Sequence, residues 1–235
     1  MALTEEQVAR FSRQLLVPGF GEAAQERLLA ARVRVVGADG PATPALVALV
    51  QAGVGRIWVD DEGYVAPADR QGWLYPPGAV GSSRAARASE ALSDFSRHSV
   101  VEAYPAGGVP DAALIFAGSA AQGIAMGEVA RKGGIPHVVV EPDAEGGAIV
   151  SIPVGAPCFS CARSVSGVGR PPVPGIAGLS ALAAAELLHI LVQPAGMAGR
   201  RIDVVRGVPT THPTVRLPGC ACGQPVVPSS RDEGA

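Results

Sequence analysis

Apolar residues fall along this chain in two rhythms. Short runs, VRVV at 33–36, RIWVD at 56–60, AALIFA at 112–117 and HVVVE at 136–140, read as buried strands. Longer mixed stretches at 41–52, 82–94 and 120–132, and the most apolar one at 175–193, predict helices. At the N-terminus Thr4 stands three residues before Gln7, a capping-box spacing. It predicts a helix running to Leu16 and ended by Pro18-Gly19, with a second helix over 21–31. Further strands are expected at 98–104, at 147–152 as the start of a hairpin, at 201–205 and at 213–217. Residues 61–80 and 162–174 read as irregular connections, and 224–235 as a disordered tail. The alternation predicts one α/β domain over 1–223. Its Rossmann-like sheet should be mainly parallel, with helices on both faces.

Composition narrows the function classes. Of 235 residues, 48% are hydrophobic but only 4% aromatic, so the core must be Ala, Val, Leu and Ile. The net charge of −2 gives no basic field for nucleic acid. No apolar run reaches the roughly 18 residues of a membrane span. The polar start MALTEEQVARFSRQ shows no secretory signal, so a cytoplasmic protein is expected. The single lysine is Lys132. The four cysteines form two tight pairs, Cys158/Cys161 and Cys220/Cys222. In a reducing compartment two such pairs predict one tetrahedral thiolate site for a structural zinc ion. His98, His137, His189 and His212 do not cluster in sequence and read as structural.

The stretch 33–62 has the outline of a nucleotide-binding βαβ unit, but its turn is unusual. It reads Gly37-Ala38-Asp39-Gly40-Pro41-Ala42. Glycines at such a turn let backbone N–H groups approach a phosphate. Asp39 puts a carboxylate there instead, and is expected to cap the following helix with Pro41 in its first turn. Asp60 ends the second strand, where it reads as a ribose contact or as a solvated acid.

The order of motifs resembles the E1-like family of MoeB, ThiF and HesA. The resemblance rests on Arg10-Phe11-Ser12-Arg13-Gln14, the glycine loop, Asp60, Arg70-Gln71, Cys158-x-x-Cys161, a Gly-rich apolar helix and Pro218-Gly219-Cys220-x-Cys222. It spans about residues 4–223. It implies ATP/Mg2+-dependent adenylylation of the C-terminus of a small ubiquitin-like sulfur carrier or peptide, by a homodimer. It also implies that Arg13 reaches the partner's nucleotide site, and that Gly37, Gly40, Asp60, Arg70 and Arg84 touch nucleotide. Arg13 also reads as a surface arginine on an N-terminal helix. Four family features are replaced. One loop glycine is Asp39, the crossing asparagine is Ala68, the phosphate lysine is Arg84, and the magnesium aspartate falls near Gly118-Ser119. No cysteine lies in 162–174 to receive a carrier, and Lys132 falls on an exposed turn of the family. These replacements favour a pseudoenzyme that binds a carrier or peptide, or that partners an active E1-like paralogue, with a weakened or lost ATP site. The alternatives are an active, divergent adenylyltransferase and, on weaker grounds, an NAD-linked oxidoreductase.

Overall fold

The computed structural model describes residues 2–71, 74–143, 146–163, 173–193 and 197–223. The predicted tail 224–235 and most of the predicted loop 162–174 lie outside these residues. The first strands are β1 (Arg32–Val36), β2 (Arg56–Asp60), β3 (Val100–Ala103), β4 (Ala112–Phe116) and β5 (His137–Pro142). They are followed by β6 (Gly146–Ile152), β7 (Arg200–Val205) and β8 (Val208–Pro213). All eight form one sheet in the order β3-β2-β1-β4-β5-β6-β7-β8. Strands β3, β2, β1, β4 and β5 are parallel, while β6, β7 and β8 are antiparallel to their neighbours. The sheet is therefore mixed, a Rossmann-like parallel half extended by an antiparallel one.

Alternation along β1 explains the two layers. Val33 and Val35 face a core shared with helices α3 (Thr43–Ala52), α4 (Arg84–Ser93) and α7 (Val173–Val192). Val36, with Ile115, Val139 and Val150, faces the opposite core, where Met126 of α5 (Ala120–Lys132) and Phe159 of α6 (Phe159–Ala162) pack. The remaining helices, α1 (Glu5–Leu15) and α2 (Gly21–Ala30), pack on each other, and α2 also packs against α7. The Thr4–Gln7 capping box forms as its spacing predicts. Gln14 and Gln25 both donate to Ala52 O, at 3.2 and 3.0 Å, and so satisfy the C-terminal end of α3.

Helix α7 corrects the expectation that no segment is apolar enough to span a membrane. Gly175–Val192 passes that test with a mean hydropathy of 1.8. Its burial identifies it as a core helix, because Leu179, Ala183, Ala184, Leu187 and Ile190 are all packed inside. Its one acid, Glu186, is buried and fully partnered. Ser151 donates at 2.6 Å and Arg200 donates through Nε and Nη2 at 2.7 and 2.8 Å.

A second correction concerns the last strand, expected at 213–217 and found at Val208–Pro213. The β7–β8 hairpin turns at Arg206 and Gly207, with φ of 50° and 81°. Every residue of β8 is exposed, so no buried alternation marks it in the sequence.

Candidate functional site

The parallel strands end at a cleft of about 480 Å3 lined by Arg34, Gly37, Asp39, Asp60, Asp61 and Arg84, among others. It opens where β1 and β4 part, the usual ligand position in such sheets. The chain leaves β1 at Gly37, whose φ of +87° only glycine adopts without strain. Its N–H bonds to Asp60 O at 3.1 Å.

Two of the next N–H groups, which could hold a phosphate, already have partners. Ala38 N donates to Asp61 Oδ2 at 2.8 Å, and Gly40 N donates to Asp69 Oδ1 at 3.2 Å. Asp61 also accepts from Gly63 N at 2.7 Å, and Asp69 from Ala66 N at 2.8 Å. Arg84 closes the arrangement, with Nε 2.9 Å from Asp69 Oδ2 and Nη1 3.5 Å from Asp61 Oδ2. Tyr75 pins the turn from below by donating to Ala38 O at 2.6 Å. The result is a carboxylate–guanidinium clamp across the glycine turn.

The clamp also explains Gly40. A Cβ there would lie 2.9 Å from Asp69 O and 3.0 Å from its Cα, so the glycine admits the Asp69 backbone. Burial pushes the Asp69 carboxyl up, but the Ala66 and Gly40 N–H groups and Arg84 outweigh it. The carboxyl is therefore held below the ordinary carboxylate range. A depressed folded value means that the unfolded chain binds the proton more readily. The stability Asp69 contributes is thus complete above its unfolded value of about 3.9 and is lost as pH falls through the folded one. Urea unfolding should show Asp69→Ala less stable than wild type by about 3 kcal/mol at pH 6, with the gap narrowing towards pH 3.

Each residue singled out in the sequence has a definite place. Asp60 is ion-paired with Arg34, whose Nε lies 2.9 Å from Oδ2 and whose guanidinium stacks 4.2 Å from the Tyr104 ring centroid. Arg84 lines the cleft from within the clamp. Arg13, in the last turn of α1, and Arg70, on the turn Pro67–Gln71, are exposed and do not line this cleft. Asp39 lines the cleft, but the expectation that its side chain caps the helix is corrected. Residues Gly40–Ala42 form a separate 3-10 turn, so α3 starts only at Thr43, too far on for Asp39 to reach its N–H groups. At the start of α5, Ser119 caps Gln122 N at 3.2 Å and Gln122 Oε1 accepts from Gly118 N at 2.9 Å. Asp61 and Asp69, the two acids that occupy the loop, were not among the predicted site residues. The Asp60-Asp61-Glu62 run was the available signal for Asp61.

The four cysteines meet at the other end of the sheet. Their sulfurs lie within 4.8 Å of one another, and Cys158–Cys161, Cys158–Cys220 and Cys161–Cys222 are 3.7, 3.6 and 3.6 Å apart. These separations are too long for a disulfide, at about 2 Å. They match the edge of roughly 3.8 Å of a tetrahedron built on zinc–thiolate bonds. The set can hold one metal ion, and Leu217 N adds an N–H 3.4 Å from Cys161 Sγ.

The sequence model of the ThiF family matches residues 11–121. Residues 11–121 thus resemble the ThiF family. The match covers β1, the clamped turn, β2 and β4. A sulfur carrier protein adenylyltransferase from Thermus thermophilus is 42% identical over 107 residues, which span 45% of this chain and 39% of that one. The probable adenylyltransferase/sulfurtransferase MoeZ of Mycobacterium tuberculosis is 40% identical over 92 residues, 39% of this chain and 24% of its own. The aligned part is thus well under half the length of these relatives. Among solved structures, Escherichia coli MccB superposes with a TM-score of 0.80 over 96% of this chain and 74% of its own, at 17% identity. That likeness is one of fold.

Proposed function

We propose that this ThiF-type domain binds the C-terminal end of a small sulfur-carrier protein or peptide and has a weakened or lost ATP site of its own. The observation that carries the reading is the clamp. Adenylylation drives a carboxylate against the α-phosphate of MgATP, and needs N–H groups and cations free to take up the developing charge. In this cleft the N–H groups of Ala38 and Gly40 serve Asp61 and Asp69, and Arg84 is committed to the same two acids. Asp39, Asp60, Asp61 and Glu62 outnumber Arg34 and Arg84 along its walls, so a polyphosphate meets net negative charge. The carrier or peptide class is supported by the relatives named for sulfur-carrier adenylylation and by MccB structures with the peptide MccA. We assign zinc to the four-cysteine site on its spacing, with a structural role, and a homodimer that places Arg13 at the partner's cleft.

A second reading, an active but divergent adenylyltransferase, is favoured by the relatives' names and by MccB structures with ATP. Pyrophosphate exchange with a purified sulfur-carrier protein separates the two. Carrier binding with no ATP–pyrophosphate exchange supports the first reading, and exchange dependent on the carrier supports the second. On the same preparation, light scattering should give twice 23.7 kDa. A monomer at tens of micromolar would remove the role given to Arg13.

A further inference from the structure

A four-thiolate site holding a divalent ion carries a net charge of −2, because each cysteine gives up its proton to bind. Here Cys158 and Cys161 are buried and Cys220 and Cys222 half-buried, so water screens that charge incompletely.

Two arginines stand at this site. A cavity of about 440 Å3 beside it is lined by Cys222 and Gly223 together with Arg131 and Arg216. Arg131 comes from the last turn of α5 and is held in place by Glu128, through Nε and Nη2 at 2.8 and 2.7 Å. Glu128 is also within 3.9 Å of Lys132, so this corner of α5 keeps a positive excess. Arg216 comes from the segment that carries the second cysteine pair. Its side chain packs over Gly223, where an added Cβ would sit 3.3 Å from Arg216 Cδ, and Nη2 lies 3.5 Å from Gly155 O. No acid pairs with Arg216 among the described residues, and Leu217, next to it, gives its N–H to Cys161 Sγ.

We infer that Arg131 and Arg216 are the counter-charge of the metal centre, positioning residues that offset the net negative charge of four thiolates around one divalent ion. The inference rests on the assignment of a metal to the four cysteines. It adds that affinity comes in part from two cations that touch no metal. The arrangement also gives Glu128 a role, since it fixes the Arg131 fork against the site. Outer residues of this kind typically change metal affinity by about 10–100-fold.

The test measures zinc affinity of the full chain by competition with a chromophoric chelator, at two salt concentrations. Cobalt(II) absorption then reports whether four thiolates still bind in a tetrahedron. Arg216→Ala and Arg131→Gln should each weaken zinc binding by roughly tenfold or more, with the cobalt spectrum unchanged. Arg216→Lys should recover most of the loss, and the gap between wild type and variants should shrink as salt is raised. Arg216 is exposed, so its variants keep the fold even if those of Arg131 do not. Wild-type protein that binds no zinc or cobalt would overturn the metal assignment itself. Wild-type protein that binds tightly, with Arg216→Ala within twofold of it, would overturn the counter-charge alone.

Discussion

Removing the metal should expose the last described segment to trypsin while the sheet stays folded. Residues 214–223 are mostly exposed, and few bonds tie them to the body. Thr214 N donates to Gly199 O at 3.1 Å, Arg216 reaches Gly155, and Leu217 N reaches Cys161 Sγ. With the proposed metal bound, the four cysteines would be the main link between this segment and the turn after β6. The eight strands and the core around α7 do not depend on it. Metal binding stabilises the closed arrangement by about 2.7 kcal/mol at a free metal concentration 100 times Kd, a hundredfold in the open population. Chelator, or Cys158→Ala, should therefore speed cleavage after Arg216 by up to about a hundredfold. Far-ultraviolet circular dichroism should change little. Unchanged cleavage after complete metal removal would mean that packing holds this segment, not the cysteines.

Opening the clamp should create anion affinity at the glycine turn. Asp61→Ala frees the N–H groups of Ala38 and Gly63, removes one negative charge from the cleft and releases one side of Arg84. Without ligand the variant should lose about 2 kcal/mol, because two N–H groups lose a charged acceptor. With pyrophosphate or MgATP present it should recover part of that loss, while wild type should gain nothing. A tenfold gain in affinity corresponds to about 1.4 kcal/mol. Thermal unfolding with and without millimolar pyrophosphate reads both effects, and only the variant should shift upward with ligand. Equal ligand shifts in wild type and variant would show that Asp61 does not compete with phosphate.

The parallel half of the fold was legible because its strands are near-continuous apolar runs. VRVV, RIWVD and AALIF cannot satisfy any other pattern once both faces of the sheet are covered. The zinc-type cysteine spacing was legible for a similar reason, since the chemistry requires close pairs. Strand β8 was misplaced because both its faces meet solvent and its residues show no period. The clamp was hidden for a different reason. Asp69 acts on Gly40 from 29 positions away, through a connection whose composition says only that it is irregular. Asp39 misled because it is a good capping residue in the right place, but a 3-10 turn intervenes before α3. Arg34 was not singled out in the sequence. Its partner is Asp60, on the neighbouring strand.

The central claim is that the chain's own carboxylates stand where phosphate would bind. Isothermal titration of wild-type protein with MgATP, in moderate salt and with the metal site loaded, tests it most directly. The account predicts no saturable binding below about 1 mM, weaker than about −4 kcal/mol. A stoichiometric transition with Kd in the micromolar range would contradict it, because the loop N–H groups could then serve phosphate with Asp61 and Asp69 still in place.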